Sequence, residues 1–464
     1  MSAIVLARGP RPGRVPLSRA RRAGLLGAAA LLLSSTPVFA QDVDRMNQII
    51  SASVEAGEFS GSVLVTRGDQ VLLDRGYGLA DREWGVANDG DTRFRLASVS
   101  KQFTSVAILL LAEQGLVDLD APVKTWLPDA PAAWDAVTVR HLMSHTAGLP
   151  DLTRFDDFEA LKTRPTTVAA LIARFSDRPL EFAPGARWAY SNSGYILLTA
   201  VIEKASGQPY ATFIAERLFQ PLGMSASGYD EAAKILPHRA SGYVRTDDGF
   251  ANADYVDMTV PQGAGGLYST TRDLLKWEQG LFGGRVLKPA SLALLTTPVR
   301  NDYALGLISK DQDGHRIISH NGGIEGFNTY MARADDGVTV VVLGNLNGPG
   351  PDKLGPALMT LAHGGAVTLQ TERQAIAVTP DFLASYAGVY EASPAFAITI
   401  SVVEGRLMAQ ATGQPAFELF PEKPDGFFLK VVDAQLSFDR DATGAVTGLV
   451  LHQGGHDLPA RKAK

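Results

Sequence analysis

Strand-forming patterns lie on both sides of a long helical middle, and this order constrains the fold more than any other feature of the sequence. Residues 60–80 form two apolar-rich runs around Arg67-Gly68-Asp69, and residues 328–345 form two more. Apolar runs joined by such turns are typical of β-hairpins. Between residues 116 and 300, helix-like segments alternate with loops rich in Pro, Gly and Asp. This order predicts an α+β domain whose antiparallel sheet joins the two ends.

Two segments of the middle region read clearly as helices. From Ser98 to about Gly115 the chain is apolar on nearly every side of a helical wheel, which predicts a central, buried helix. The run "SGYILLTAVIEKASG" predicts a second helix that ends at Gly207. We therefore expect the first helix to form the core of the domain.

The C-terminal part of the chain changes character. Residues 363–380 lack clear periodicity and are interpreted as a linker. Residues 381–464 contain short apolar runs separated by glycine-containing turns such as Glu404-Gly405. Short strands with regular turns predict a small antiparallel sheet or barrel. The predicted organisation is thus a domain at 41–362, a linker and a β domain.

The first forty residues resemble a secretory signal. Six arginines without an acidic residue precede "AGLLGAAALLL", and Val38 and Ala40 occupy the −3 and −1 positions of a cleavage site. The alternative, a membrane-spanning helix, needs roughly 20 apolar residues, and this run is shorter. We expect residues 1–40 to be removed, which leaves a periplasmic protein without a stable membrane anchor. Arg21-Arg22 leaves both the general and the twin-arginine export routes open.

Composition excludes several classes of function. The chain has 464 residues, a net charge of −6 and no cysteine. No basic block follows the N-terminal segment, so the charge pattern gives no support to nucleic-acid binding. Without cysteine, disulfides, a thiol nucleophile, a thiolate metal site and cysteine lipidation are all excluded.

The motif S-x-x-K opens the first predicted helix. Lys101 lies three positions after Ser98, where a helix start favours a carboxylate. Burial and the positive end of the helix dipole would both lower the pKa of the lysine, and a neutral amine there could take the proton of Ser98. The alternative is that Ser98 caps the helix and Lys101 is exposed.

A second motif, Tyr190-Ser191-Asn192, precedes the second helix. Near a lysine and a helix N-terminus, the pKa of Tyr190 could fall from about 10 toward 7, which takes roughly 4 kcal/mol. The phenolate would then serve as a general base, and Asn192 would offer its amide to a substrate. Alternatively, Asn192 or Ser193 caps the helix and Tyr190 only packs.

The third motif, His320-Asn321-Gly322, follows an apolar run and precedes another strand. The pattern H-x-G occurs again at His363 and His452, so it is not specific by itself. Only His320 lies between predicted strands, with a glycine pair that would allow close approach of a substrate backbone.

In this order the three motifs resemble those of the penicillin-recognising serine hydrolases. That superfamily contains class C β-lactamases, D,D-peptidases, D-aminopeptidases and family VIII carboxylesterases. Further similar segments are "LMSHTAGLP", "PLGM" and "GAGGLYSTTRDLLKW". The resemblance spans roughly residues 45–360 and implies a β-lactamase/D,D-peptidase-like α/β sandwich. The C-terminal segment is similar to the lipocalin-like β-barrel attached to some of these hydrolases.

The resemblance implies a role for each matching residue. Ser98 would be the acylated nucleophile, and Lys101 and Tyr190 would share proton transfer. Substrate would be bound by Asn192 and by the strand that carries His320 and Gly322. The N–H groups of Ser98 and Gly323 would form the oxyanion hole. No metal or organic cofactor is implied, and the expected partner is a small-molecule or peptide substrate, including peptides of cell-wall origin.

One departure from the family pattern changes the expected substrate. Class C β-lactamases and most D,D-peptidases have lysine where this chain has His320, and a histidine is mostly neutral near pH 7. A dedicated β-lactamase is therefore disfavoured against an exported hydrolase of amides or esters. The other hypothesis is a penicillin-binding sensor with little turnover. An α/β-hydrolase is not supported because G-x-S-x-G does not occur.

Overall fold

The computed structural model describes residues 38–453 and 456–463, so most of the predicted signal peptide lies outside the described residues. Within these ranges the helices are α1 (Val38–Glu55), α2 (Ser100–Glu113), α3 (Val139–Met143), α4 (Phe158–Leu161), α5 (Val168–Ser176), α6 (Asn192–Ser206), α7 (Tyr210–Ile214), α8 (Gln262–Gly265), α9 (Thr271–Phe282), α10 (Pro289–Thr296), α11 (Gly350–Ala362) and α12 (Pro380–Ala384). None of these helices is both long enough and apolar enough to span a bilayer.

The strands fall into a main sheet, a barrel and several short pairs. They are β1 (Gly61–Arg67), β2 (Gln70–Tyr77), β3 (Leu79–Asp81), β4 (Val86–Ala87), β5 (Phe94–Arg95), β6 (Gly228–Tyr229), β7 (Tyr243–Thr246), β8 (Gly249–Asn252), β9 (Leu267–Ser269), β10 (Ile308–Gln312), β11 (His315–Ile324), β12 (Phe327–Ala334), β13 (Val338–Gly344), β14 (Gly388–Ser393), β15 (Phe396–Val403), β16 (Arg406–Ala411), β17 (Phe417–Lys423), β18 (Gly426–Leu429), β19 (Ala434–Arg440), β20 (Val446–Gln453) and β21 (His456–Lys462).

The main sheet joins the two ends of the hydrolase-like region, as predicted. Its strand order is β10-β11-β12-β13-β1-β2, and every neighbouring pair is antiparallel. β1 pairs with β13 from Gly61 opposite Gly344 to Arg67 opposite Val338. Both predicted hairpins are present, because β1 turns into β2 and β12 turns into β13 at the expected positions. The α+β prediction is therefore confirmed.

Each face of the sheet is covered by helices. Alternate side chains enter different cores: Leu64 belongs to the larger core, whereas Val63 and Val65 belong to the smaller one. The smaller core contains residues of α1 and α11, such as Ile50 and Leu358. The period of two along β1 thus distributes apolar side chains to both faces, which is the α/β sandwich that the resemblance implies.

The larger core is built around α2. From Ser100 to Leu109 every residue of this helix is buried, which confirms the predicted central position. Phe103 packs against Trp277 with ring centroids 4.2 Å apart. α6 packs beside α2 and ends at Gly207, whose φ of +70° a glycine adopts without strain. These two helices carry the first two sequence motifs into one place.

The C-terminal region is a closed antiparallel barrel of β14 to β21. Its turns fall at the predicted glycine-containing positions, and its core includes Tyr386, Tyr390 and Phe438. Residues 363–380, which precede the barrel, contact both α1 and the barrel. Glu372 pairs with Arg45 of α1, and Gln370 donates to the carbonyl oxygen of Leu429 at 3.2 Å.

Candidate active site

Ser98 lies in a short 3-10 turn, Ala97–Val99, that leads directly into α2. The N-cap of α2 is Val99, so the alternative in which Ser98 caps the helix is wrong. Ala97 has a φ of +47°, a left-handed conformation uncommon for a residue with a Cβ atom. This turn places Ser98 at the N-terminus of a 14-residue helix, where free N–H groups favour developing negative charge.

Strand β11 passes directly against this turn. A Cβ atom on Gly322 would lie 2.5 Å from the carbonyl oxygen of Leu96 and 3.0 Å from the backbone nitrogen of Ser98. Gly323 has much more room, because its Cβ atom would meet only the Asn328 amide at 3.4 Å. The absence of a side chain at Gly322 therefore allows the strand to approach Ser98.

Lys101 is fully buried and lies beside the serine. Its Nζ atom is 3.0 Å from Ser98 Oγ, 2.9 Å from Asn192 Oδ1 and 2.7 Å from the carbonyl oxygen of Ala264. The alternative with an exposed Lys101 is therefore wrong. Three acceptors match the three N–H bonds of an ammonium group. In the neutral amine, one lone pair replaces one of these bonds and can accept the serine proton.

Burial lowers the pKa of Lys101 to about 7, and the negative charge of Asp151 opposes this shift. The cause is desolvation, because an ammonium group loses hydration in a dry interior. At neutral pH a substantial fraction of this lysine is therefore an uncharged base. The sequence-based expectation of a lowered lysine pKa agrees with this geometry.

Tyr190 contacts the same oxygen atom from another element. Its hydroxyl donates to Ser98 Oγ at 2.8 Å, although 92 residues separate the two. Burial raises the pKa of Tyr190, so the expected lowering toward 7 is wrong. Desolvation penalises a phenolate more strongly here than its hydrogen bond to Ser98 favours one. Tyr190 is accordingly a neutral hydrogen-bond donor to Ser98, whereas the pKa of Lys101 is low enough for a neutral amine at pH 7.

Asn192 begins α6 and links the lysine to a carboxylate. Its Oδ1 accepts from Lys101, while its Nδ2 lies 3.3 Å from Asp151 Oδ2. The N-cap is Ser191, so the alternative in which Asn192 or Ser193 caps the helix is also wrong. Asp151 fixes the orientation of the amide and leaves a second Nδ2 hydrogen for a substrate. Asp151 directly follows the segment "LMSHTAGLP", but no sequence motif identified it.

His320 belongs to a buried chain of hydrogen bonds behind Tyr190. Its Nε2 lies 3.1 Å from the Tyr303 hydroxyl, which lies 3.1 Å from His145 Nε2. The N–H of Ser191 donates to His145 Nδ1, so the neutral ring carries its proton on Nε2. Tyr303 then donates to His320, whose Nδ1 donates to the Asn321 carbonyl oxygen at 2.5 Å. These contacts require one tautomer of each histidine.

Both histidines of this hydrogen-bond network, His145 and His320, are held neutral. Burial lowers the pKa of His320 to about 4 and lowers that of His145 well below its usual value, with Lys101 adding to both shifts. His320 is 3% exposed and does not line the cavity at Ser98, where the resemblance placed it. The His145 ring packs on Tyr190 with centroids 4.3 Å apart. No sequence motif identified His145 or Tyr303 as site residues, although His145 lies within "LMSHTAGLP".

A cavity of about 470 Å³ opens onto the serine. Ser98, Asn192 and Gly323 line it, together with an apolar wall that consists of Leu152, Phe158, Ile196, Val256, Val260 and Ile324. Ser98 and Gly323 thus share the open space where a substrate carbonyl would lie. The other predicted site residues, Lys101, Tyr190, His320 and Gly322, do not line this cavity.

The rim of the cavity carries an ion-pair cluster in which carboxylates outnumber the single ammonium group. Lys162 Nζ lies 2.5 Å from a carboxylate oxygen of Glu159, 2.8 Å from one of Glu325 and 3.9 Å from one of Asp254. Desolvation lowers the pKa of Lys162, but the hydrogen bonds to Glu159 and Glu325 raise it overall. The ammonium group is therefore already neutralised by carboxylates.

Comparison with known proteins extends over nearly the whole described chain. Residues 46–363 match the Beta-lactamase family model, and residues 372–462 match a domain of unknown function, DUF3471. The chain is 29% identical over 439 residues to penicillin-binding protein 4* of Bacillus subtilis, covering 88% of this chain and 96% of that protein. It is 34% identical over 240 residues to esterase EstB of Burkholderia gladioli, covering 48% of this chain and 60% of that protein.

Among solved structures, a penicillin-binding protein from Bacillus halodurans matches with a TM-score of 0.61 and 30% identity. The match covers 68% of this chain and 99% of that one.

Proposed function

The chain belongs to the β-lactamase family of serine hydrolases, and from this premise we propose that it cleaves an amide or ester bond through an acyl-enzyme on Ser98. One observation carries the assignment: Lys101 Nζ and Tyr190 OH both contact Ser98 Oγ, at 3.0 and 2.8 Å, where the serine faces a cavity. A nucleophile in contact with a base and a donor is the arrangement that acyl transfer requires.

In the first half of the reaction, neutral Lys101 takes the proton of Ser98 as Oγ attacks the substrate carbonyl carbon. The carbonyl oxygen becomes an oxyanion, which the N–H groups of Ser98 and Gly323 would stabilise. Tyr190 supplies a proton to the leaving amine or alcohol and recovers one from the lysine ammonium. The bond to the leaving group breaks, and the acyl group remains on Ser98.

In the second half, water attacks the acyl carbon while neutral Lys101 accepts its proton. Collapse of the tetrahedral adduct releases a carboxylic acid and returns the proton to Ser98 Oγ. Asn192 positions the scissile group through its free amide hydrogen. The apolar wall excludes water from the acyl side chain, which strengthens the polar contacts at the reacting atoms.

The charges around the cavity support a substrate without a terminal carboxylate beside the scissile bond. His320 is neutral and does not line the cavity, and Lys162 is neutralised by three acidic neighbours. An apolar acyl group, with or without a free amino group, suits this environment better. Esters and D-amino-acid amides or peptides are therefore the proposed substrates, ahead of β-lactams.

Acylation and turnover test the assignment separately. A fluorophosphonate probe should add one label per chain, on Ser98 by peptide mass spectrometry, and Ser98→Ala should remain unlabelled. The unlabelled chain is then assayed with p-nitrophenyl acyl esters, D-amino-acid anilides, D-Ala-D-Ala peptides and nitrocefin. Steady turnover of an ester or anilide supports the hydrolase. A stoichiometric burst without turnover on all substrates supports the penicillin-binding sensor instead.

We also propose that the protein is exported and works in the periplasm. The arginine-rich, apolar N-terminal segment and its cleavage pattern at Ala40 support this location. Mass spectrometry of the protein from fractionated cells should find a mature N-terminus at Gln41 in the periplasmic fraction. Replacing Arg21 and Arg22 by lysine should block this export only if the twin-arginine route is used.

A further inference from the structure

A second histidine cluster lies at the end of the sheet remote from Ser98. His315 begins β11, Asp336 lies in the turn between β12 and β13, and His363 directly follows α11. One potential ligand atom from each of the three lies within 4.8 Å of the others. The segments are far apart in sequence, and the proposed reaction uses none of these side chains.

The second nitrogen of each histidine is already engaged. His363 Nδ1 lies 2.9 Å from the carbonyl oxygen of Met359, which accepts only from a protonated nitrogen. His363 Nε2 then faces Asp336 at 3.2 Å. His315 Nδ1 lies 3.1 Å from an oxygen of Asp335. Histidines that bind metals donate their other N–H to a carbonyl or carboxylate in this way, which orients the ring and makes Nε2 the ligand.

We infer that His315, Asp336 and His363 form a binding site for a divalent transition-metal ion of the Zn²⁺ class. Two imidazole nitrogens and a carboxylate oxygen are ligands suited to Zn²⁺, and water completes a tetrahedron in a site that is open to solvent. Ligand bonds of about 2.0–2.1 Å require donors about 3.3 Å apart. The two rings are stacked, with centroids 4.1 Å apart and planes at 18°, so they must rotate out of this stack for both Nε2 atoms to reach one ion.

The bound ion would be structural. Gly323 lies eight positions after His315 in β11, a distance of about 26 Å along an extended strand. An ion here would connect the start of β11, the β12–β13 turn and the end of α11. It would hold the last turn of α11 onto the sheet just before the segment that leads to the barrel.

Metal binding to the full-length mature chain, prepared without an affinity tag, tests the site directly. Titration with ZnCl₂ should give one site with a dissociation constant in the micromolar range, and Zn²⁺ should raise the melting temperature. His363→Gln and His315→Gln should each weaken binding at least tenfold. Co²⁺ should give the visible absorption of a tetrahedral complex, and each variant should lose it.

His452→Gln is the matched control, because His452 also contacts an aspartate, at 2.6 Å from Asp457, but lies in the barrel. This variant should bind Zn²⁺ as the parent does. Hydrolysis of the best ester should be unchanged after treatment with EDTA. Binding that is no tighter in the parent than in His363→Gln, or that is lost equally in His452→Gln, would overturn the assignment.

Discussion

The two histidines of β11 occupy opposite environments although only five positions separate them. His320 lies in a dry interior, where burial lowers its pKa to about 4 and both ring nitrogens have a partner. His315 lies at the solvent-accessible end, where its hydrogen bond helps to lower the pKa of Asp335. On one strand, His320 is thus a neutral ring held by two hydrogen bonds, whereas His315 is the ring proposed to bind a metal ion.

The difference shows how burial determines what a polar group does. At the dry end, desolvation changes the protonation state of Lys101, and an unpaired polar atom costs free energy. At the wet end, solvent screens charges, and side chains keep enough freedom to rearrange around an ion. Variants at the two ends should therefore differ in the size of their effects, and four experiments test this.

Removing the base at the dry end should have the largest effect on activity. Lys101→Ala should lower kcat/KM for the best ester by about 10³-fold or more, because no other side chain in the described part of the chain contacts Ser98 Oγ as a base. His315→Gln, at the wet end of the same sheet, should change it less than about twofold, in line with ordinary surface changes. Stopped-flow acylation rates for both variants measure the contrast. Equal losses would show that the two ends are not independent.

Adjacent glycines provide the next contrast. Gly322→Ala should lower kcat/KM by about 10²-fold, because the new methyl group must displace β11 from Leu96 and from the backbone of Ser98 by a large part of an ångström. Gly323→Ala should be far milder, since only the Asn328 amide is near. Circular dichroism and melting temperatures separate misfolding from misplacement of Ser98. A stronger effect from Gly323→Ala would mean that this face binds substrate more closely than the geometry indicates.

The pH dependence of hydrolysis tests the charge balance around the base. With a Lys101 pKa of about 7, kcat/KM should rise through pH 7 as the lysine loses its proton. Asp151 raises this pKa, so Asp151→Asn should move the acid limb to lower pH while kcat falls roughly tenfold, because Asn192 loses its orienting partner. Asp273→Asn, another buried carboxylate, should leave the limb in place. An acid limb that moves upward, or not at all, would remove Lys101 as the titrating group.

Local patterns were sufficient to predict much of this fold. The apolar surface of α2, the hairpin turns and the glycine-containing turns of the barrel depend on neighbouring residues, so periodicity identified them. The contacts that define the site instead join residues that are far apart in the sequence. Asp151 meets Asn192 across 41 positions, and Tyr303 meets His145 across 158. No spacing rule relates such residues.

The errors have a common physical origin. The sequence suggested that a nearby cation would ionise Tyr190, but it could not show that the phenol is buried, and desolvation proved stronger than the charge. The sequence likewise indicated that His320 would face the substrate. The ring of His320 is instead buried and does not line the cavity. Burial depends on the whole fold, whereas motifs record only residue types and order.

The smallest of the four effects should come from the hydrogen-bonded chain behind Tyr190. Tyr303→Phe keeps the ring but leaves Nε2 of both His145 and His320 without the hydroxyl, which costs about 1–3 kcal/mol of the free energy of unfolding. Because the His145 ring packs on Tyr190, kcat should also fall, by about two- to fivefold, a loss of under about 1 kcal/mol.

Tyr390→Phe is the control for this last variant. Tyr390 is buried in the barrel and donates to the Tyr386 carbonyl oxygen at 2.7 Å, so its loss should lower stability without changing kcat. Urea unfolding and ester hydrolysis, measured on both variants, separate the two roles. If Tyr303→Phe is destabilised but hydrolyses the ester at the parental rate, the chain serves the fold alone. Catalysis would then depend on Ser98, Lys101 and Tyr190 without any contribution from the hydrogen bonds of Tyr303.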